Sequence, residues 1–207
     1  MRTAFRLLIG LLALALLPSA AMAAKSALRP DDMTLGNPKA KVMVVEYASL
    51  ACPHCAHFHN TVFPAFKKKY IDTGRVQFVY REFLTAPGEL SVPATLVSRC
   101  VPKKNYFVFL ERAFAAQEGI YKDGTTAGLQ RVLKGIAADL GLGEAAYDAC
   151  LADKTGQASL DARMTLATQT DGVDGTPTFF VNGVKVNPSS GHEMDLKALD
   201  AAIAKAK

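Results

Sequence analysis

The chain has 207 residues, of which 50% are hydrophobic and 21% are charged, with 24 lysines and arginines against 19 acidic residues. This apolar content excludes a disordered chain and predicts a packed core, formed by one domain or by one domain with a sizeable insertion. The net charge of +5 is too small to indicate a nucleic acid or an anionic membrane as a partner.

The first segment has the three parts of a secretory signal peptide. Arg2 and Arg6 precede an apolar run, Leu7–Leu17, and the small residues of AMA at 21–23 form the kind of site that signal peptidases accept. We expect cleavage after residue 23. The alternative is a membrane anchor, but the run is shorter than the ~20 residues that a transmembrane helix needs. Export would place the chain where disulfides persist.

The next part of the chain predicts a strand, a helix and a strand. Lys41–Tyr47 and Val76–Phe83 are rich in β-branched and apolar residues, as buried strands are, and a short strand near Met33–Leu35 precedes them. The segment 52–70 has apolar residues at helical spacing, although Pro64 should kink or interrupt the helix. This order predicts two parallel strands with a right-handed crossover.

The middle of the chain predicts a block of helices. They are expected near Ser91–Cys100, Asn105–Gln117, Thr126–Leu140, Glu144–Ala152 and Thr155–Thr170. Two short strands follow, Thr178–Val181 and Val184–Val186, joined by a two-residue hairpin signal, Asn182-Gly183, and a terminal helix covers 195–207. The pattern therefore predicts an α/β fold interrupted by a helical insertion.

Four cysteines carry the candidate chemistry: Cys52, Cys55, Cys100 and Cys150. Four cysteines allow three pairings. Cys52 and Cys55 stand three positions apart where the first main strand gives way to a helix, and residues at this spacing can be bridged. Pairing them leaves Cys100 with Cys150.

The sequence Cys52-Pro53-His54-Cys55 favours a thiolate at its first position. Cys52 would lie at or near the helix N-cap, with Pro53 in the first turn. The free N–H groups of His54 and Cys55, the helix dipole and a protonated His54 would each lower the pKa of Cys52. A stabilised thiolate is a good leaving group, so the oxidised protein would oxidise other thiols, with Cys55 as the buried resolving thiol.

Two other interpretations of this motif stay open. An exported protein can hold such a pair as a plain structural disulfide. A zinc site is the second, because His54, His57 and His59 are close in sequence. However, no second Cys/His pair at zinc-finger spacing follows in the sequence, so we favour redox chemistry without a metal. We expect His57 and His59 to be exposed on the first helix.

Two segments carry a resemblance to a known family. EYASLACPHC at 46–55 resembles the active-site segment of the DsbA family, the bacterial periplasmic dithiol oxidases of the thioredoxin superfamily. GVDGTPTFFVNG at 172–183 resembles the same family's cis-proline segment. The resemblance implies a thioredoxin fold interrupted by an inserted all-helical domain. Residues 24–86 and 170–207 would then form the thioredoxin-like domain and 87–169 the insertion.

The resemblance also implies roles for individual residues. Cys52 would be the nucleophilic cysteine and Cys55 its partner. Thr176 would precede a cis Pro177 and offer its backbone to an extended substrate, whereas without the resemblance an ordinary trans turn is expected there. Glu46 matches an acidic position thought to assist proton transfer near the buried cysteine. The alternative for this glutamate is an edge-facing or lysine-paired side chain.

Some DsbA-like proteins carry an extra cysteine pair, and we expect Cys100 and Cys150 to form a structural disulfide within the insertion. Closing such a 50-residue loop stabilises a fold by about 4 kcal/mol in the chain-entropy model.

The implied function is a monomeric periplasmic thiol:disulfide oxidoreductase that donates its Cys52–Cys55 disulfide to unfolded exported proteins. It would need no cofactor besides that disulfide, and a DsbB-type membrane quinone reductase would reoxidise it. One alternative is a disulfide isomerase or dedicated reductant of the same fold. Another is a non-catalytic chaperone or metal-binding module with a thioredoxin fold.

Overall fold

The computed structural model describes residues 27–206. The predicted signal segment 1–23 therefore lies outside the described residues. Between residues 27 and 206, no helix is both long enough and apolar enough to cross a membrane.

The strands form one mixed sheet. They are β1 (Met33–Gly36), β2 (Val42–Ala48), β3 (Val76–Glu82), β4 (Thr178–Val181) and β5 (Val184–Val186). Their order is β1-β3-β2-β4-β5; β2 and β3 are parallel, and every other neighbouring pair is antiparallel. Every residue of β2 and β3 is buried, which explains why most of their residues are apolar or β-branched. The predicted strands are all present.

The crossover helix α1 covers 53–71 and changes its hydrogen-bond pattern along its length. It consists of α-helical Pro53–His57, π-helical Phe58–Val62, α-helical Phe63–Phe66 and π-helical Lys67–Ile71. The helix therefore continues through Pro64. A π turn comes directly before this proline: the Phe63 N–H donates to the Phe58 carbonyl, five residues back. The local pattern changes where the proline lacks an N–H, and the chain does not break.

Five helices lie between β3 and β4. They are α2 (Gly88–Cys100), α3 (Tyr106–Asp123), α4 (Thr126–Asp139), α5 (Glu144–Ala152) and α6 (Lys154–Thr165), with a 3-10 turn at Lys103–Asn105 and a π-helical turn at Leu166–Thr170. A last helix, α7 (Leu196–Lys205), follows β5. All predicted helices are present, but α3 extends beyond Gln117 to Asp123, where Gly124 adopts a left-handed φ of 66° and ends it.

The helical insertion shares a core with the sheet. One continuous cluster of buried apolar side chains includes Phe58 of α1, Phe78 of β3, Phe109 of α3 and Leu133 of α4. A disulfide between Cys100 and Cys150 links the end of α2 to α5. The insertion is thus packed against the thioredoxin-like elements, and α3 reaches the segment that carries the cysteine motif.

Candidate active site

Cys52 caps the first helix. It has an extended backbone, with φ −87° and ψ 120°, and Pro53 takes the first helical position, where its missing N–H leaves no bond unmade. The Ala56 N–H donates to the Cys52 carbonyl, closing the first turn. This is the local geometry that the sequence predicts for a thiolate site.

The surroundings of Cys52 lower its pKa to about 5. The largest contribution is a hydrogen bond with the Cys55 thiol, and it exceeds the opposing effect of burial. The Thr176 side chain and the backbone N–H groups of Cys55 and His54 lower the pKa further. The sequence predicted the backbone N–H donors to Cys52. It did not predict the donor with the largest effect on the pKa, which is the Cys55 thiol.

Cys55 has the opposite character. Its thiol is completely buried, and this burial raises its pKa well above the ordinary value. The negative charges of the Cys52 thiolate and of Glu46 raise it further. The two free thiols are therefore unequal: Cys52 is an anion at neutral pH, and Cys55 keeps its proton and donates it in a hydrogen bond.

The loop before β4 faces the reactive sulfur. When it is protonated, the Cys52 thiol donates to the Thr176 carbonyl at 3.3 Å, and the Thr176–Pro177 peptide bond is cis. The Thr176 hydroxyl oxygen is buried and has no hydrogen-bond partner among the described residues. The two sequence motifs, 124 residues apart, thus meet at Cys52.

His54 projects away from the core, and its ring contacts a residue that the sequence analysis did not single out. Its Nδ1 lies 2.6 Å from a carboxylate oxygen of Glu193, and both side chains are about half exposed. The hydrogen bond and charge of Glu193 raise the pKa of His54. A protonated His54 is therefore favoured, as expected, but part of its charge is neutralised. No sequence motif marks Glu193, because its loop has no regular periodicity.

The helical insertion holds the active-site turn directly. Gln117 of α3 is buried, and its amide donates to the carbonyls of Leu50 and Cys52 at 2.9 and 3.2 Å. The Tyr121 hydroxyl, one turn further along α3, donates to the carbonyl of Ala51. These carbonyls belong to the turn between β2 and α1, so α3 fixes the position of Cys52. The sequence analysis missed both residues, and the only available signal was a glutamine on the buried face of a helix.

Glu46 forms a buried pair with a histidine. It is fully buried in β2, and the His59 Nε2 lies 2.9 and 3.2 Å from its two carboxylate oxygens. The alternative of an edge-facing or lysine-paired Glu46 is therefore wrong. The expectation that His59 is exposed is also wrong, because it lies on the π-helical segment, whose wider turns bring both Phe58 and His59 to the buried side.

The three histidines do not converge. His54 contacts Glu193, His59 contacts Glu46, and His57 is exposed on the turn before Thr61. Among residues 27–206 there is no group of three or more acidic, histidine or cysteine side chains that could hold a metal ion.

The fold and the site together define a class of protein. The parallel β2-α1-β3 unit is extended by an antiparallel hairpin, the CxxC motif lies at the N-terminus of α1, and a cis-proline lies opposite it. These are the features of a dithiol protein of the thioredoxin fold. Residues 28–204 match a family model described as Thioredoxin. The crystal structure of Wolbachia pipientis alpha-DsbA1 superposes with a TM-score of 0.72 at 32% identity, covering 86% of this chain and 94% of that one. The chain thus belongs to the thioredoxin family, in its DsbA group.

The chain is also similar to other proteins, two by sequence and one by structure. A Rickettsia bellii protein named "Putative protein-disulfide oxidoreductase" is 36% identical over 177 residues, which is 86% of this chain and 66% of that protein. A similar protein of Rickettsia prowazekii is 37% identical over 173 residues, 84% of this chain and 62% of its own length. The chain thus spans less than two thirds of these curated relatives. BdbD from Bacillus subtilis shares the fold, with a TM-score of 0.71 at 24% identity over 84% of this chain and 92% of that one.

Proposed function

We propose that the protein is a thiol:disulfide oxidoreductase that oxidises thiols of newly exported proteins with its Cys52–Cys55 disulfide. The observation that carries this proposal is the position of Cys52 at the N-cap of α1, hydrogen-bonded to the Cys55 thiol, which lowers its pKa to about 5. An anion this stable is a good leaving group, so the disulfide that contains it is readily reduced and acts as an oxidant.

In the proposed reaction, a substrate thiolate attacks the Cys52 sulfur. The Cys52–Cys55 bond breaks, and Cys55 leaves with the electron pair and takes a proton. A second substrate thiolate then attacks the substrate sulfur of the mixed disulfide and expels Cys52 as a thiolate. The substrate loses two electrons and gains a disulfide, while the protein becomes the dithiol. Glu46 is the proposed relay for that proton, because it lies close enough to Cys55 for its negative charge to raise the pKa of the thiol.

Thr176 and Pro177 are proposed to align the substrate. The Thr176 carbonyl lies within hydrogen-bond distance of the Cys52 sulfur, so a chain bound to that sulfur would run beside this backbone. Backbone pairing of that kind does not depend on the sequence of the substrate and suits a broad range of unfolded chains.

The cellular setting is part of the proposal. The signal segment 1–23 would direct the protein to the periplasm, where it would act as a monomer and a DsbB-type membrane quinone reductase would reoxidise it. The thioredoxin-like parts, 24–86 and 170–207, would carry the chemistry, and the helical insertion, 87–169, would hold the active-site turn in place and contain the Cys100–Cys150 clamp.

The test is oxidative refolding of a reduced protein that needs disulfides, using the oxidised wild-type chain and a Cys52→Ser variant. We expect stoichiometric oxidation by the wild type and none by the variant. Full activity of the variant would refute the proposal in favour of a chaperone or metal-binding module. A wild type that rearranges scrambled disulfides but cannot oxidise a dithiol would favour the isomerase or reductant.

A further inference from the structure

The proposed reaction needs a path that brings the proton of Cys55 in from solvent. When the disulfide opens, Cys55 leaves as a thiolate in a site without solvent contact, where its pKa is raised well above the ordinary value. An anion there is costly, so a proton has to reach the sulfur as the bond breaks. Glu46 is also without solvent contact, so it cannot by itself recover a proton from water.

His59 lies between the buried Glu46 carboxylate and the solvent. Its ring nitrogen lies 2.9 Å from one oxygen of Glu46 and 3.2 Å from the other. The side chain of His59 is 5% exposed, against 0% for Glu46, so within this pair only the histidine touches solvent. Phe114 of α3 stacks on the imidazole, with ring centroids 4.3 Å apart and an interplanar angle of 14°. The ring is thus held in one orientation, between solvent and Glu46.

The other groups that face the pair cannot take its place. Tyr80 of β3 lies beside His59, at 6.1 Å between ring centroids, and its pKa is raised well above 10 by burial, so it stays neutral. The charge of Glu82 reaches Tyr80, but both oxygens of Glu82 are bound by Arg99. The remaining ring neighbours of His59 that the structure describes are phenylalanines, contributed by α1 and α3.

We propose that His59 is the proton-carrying positioning residue of this site: it takes a proton from solvent and passes it through Glu46 to Cys55. This inference rests on the proposed oxidoreductase function and names a residue in its proton path.

The transfer balances as follows. The substrate thiolate forms a bond to the Cys52 sulfur, and the electron pair of the broken disulfide goes to the Cys55 sulfur. The His59 imidazolium passes its proton to the Glu46 carboxylate, which hands that proton on to the Cys55 sulfur, and His59 recovers one from water. When Cys52 leaves in the second step it needs no proton, because its thiolate is stable at neutral pH.

The experiment measures how fast glutathione opens the oxidised Cys52–Cys55 disulfide from pH 5 to pH 9. Alkylation and mass shift are the readout, since the chain has no tryptophan. His59→Gln can still donate a hydrogen bond to Glu46 but cannot carry a proton. His57→Gln is the matched control, because His57 is exposed on the same helix. Circular dichroism and the Cys52 titration establish that each variant is folded with its thiolate intact.

For the wild type, we expect a rate constant, corrected for the ionised fraction of glutathione, that falls as pH rises, because a path that brings a proton in from solvent slows as protons become scarce. His59→Gln should be slower by at least ~10-fold at the acid end, with a flat profile, since general acids contribute about 10²–10⁴-fold to such steps. The two profiles should converge at high pH. His57→Gln should match the wild type.

Glu46→Gln provides the second variant. It should slow the reaction like His59→Gln, and the double variant should be no slower than the slower single variant, because both residues serve one path. Wild-type rates and pH dependence in either folded single variant, or multiplicative losses in the double variant, would overturn the inference. If the wild type oxidises thiols in the refolding assay while these variants keep its profile, only this inference fails. If the wild type oxidises no thiols, the proposed function itself fails.

Discussion

Because the pKa of Cys52 is low in the folded protein, the free energy of unfolding of the reduced form depends on pH. The oxidised form lacks this dependence, because its Cys52 is in a disulfide. In the unfolded dithiol chain Cys52 titrates near its ordinary value of 9.0, and in the folded protein near 5. A lowered pKa contributes stability that is fully present above the unfolded value and is lost as pH falls through the folded value. The window is therefore pH 5 to 9. The raised pKa of Cys55 changes the stability only above the ordinary pKa of a thiol, which lies outside this pH window.

The magnitude follows from one proton. Within the window the free energy of unfolding of the reduced form should rise by at most about 1.4 kcal/mol per pH unit, and by less because the Cys52 thiolate is partly solvated. Between pH 6 and pH 8 we expect the reduced form to gain ~1–2 kcal/mol relative to the oxidised form. In the oxidised form Cys52 has no proton to lose, so this contribution is absent.

The assay is urea unfolding followed by far-ultraviolet circular dichroism, with both redox forms at each pH. The reduced Cys52→Ala variant is the control, and its pH dependence should match that of the oxidised wild type. If the reduced wild type shows no more pH dependence than the oxidised form between pH 6 and pH 8, the thiolate is not stabilised and the reasoning from the N-cap geometry is refuted.

Three further changes test other contacts. Glu193→Gln should lower the pKa of His54, measured by NMR titration of the ring protons, because the carboxylate that favours the imidazolium is gone. Gln117→Leu should destabilise the protein by ~1–3 kcal/mol in urea unfolding, because two buried carbonyls of the active-site turn lose their donor. The double variant Cys100→Ala/Cys150→Ala should cost about 2–5 kcal/mol by the same method, because the unfolded chain regains the freedom of a long loop.

Each of these changes has a control elsewhere in the chain. Glu118→Gln removes an exposed glutamate that pairs with Lys122, and it should leave the His54 titration unchanged. Gln130→Leu alters an exposed glutamine of α4 and should change stability by less than ~0.5 kcal/mol. An unchanged His54 titration in Glu193→Gln would contradict the ion pair, and a neutral Gln117→Leu would contradict the clamp. Equal stability with and without the Cys100–Cys150 bond would contradict its structural role.

The fold was predictable because its strongest signals are local. β2 and β3 are rich in apolar and β-branched residues, Asn182-Gly183 marks the hairpin, and Pro53 marks the start of α1. These patterns depend on backbone preferences and burial, which a single sequence displays. The extent of α3 was predicted less well: the expected helix ended at Gln117, whereas α3 continues to Asp123, and Ile120 on this added stretch is buried.

The site was predictable in part. The chemistry of Cys52 follows from its position between a strand and a helix, whereas its strongest hydrogen-bond partner, the Cys55 thiol, became apparent only with the geometry. Contacts between distant segments, such as Gln117 with the active-site turn and Glu193 with His54, leave no periodic signal. His59 was placed on the wrong side of its helix because ordinary helical spacing does not apply in a π-helical segment.

The same limit applies to the buried charges on the other face of the sheet. Arg81 of β3 donates to Asp32 and to the Tyr47 hydroxyl, which itself donates to Asp171. Burial is the main cause that raises the pKa of Tyr47, to about 12. In the sequence Arg81 is one charge inside a strand, and the other three members of this network, Asp32, Tyr47 and Asp171, come from three separate segments. Pairing at this range is set by tertiary packing and requires the structure.

The reduction potential of Cys52–Cys55, measured at equilibrium against glutathione with alkylation and mass shift as the readout, tests the central claim most directly. A thiolate stabilised as the structure shows predicts a potential well above that of the glutathione couple, so that the disulfide is transferred to substrate thiols. A potential near that of thioredoxin would contradict the account, because such a disulfide could not drive the oxidation of exported proteins.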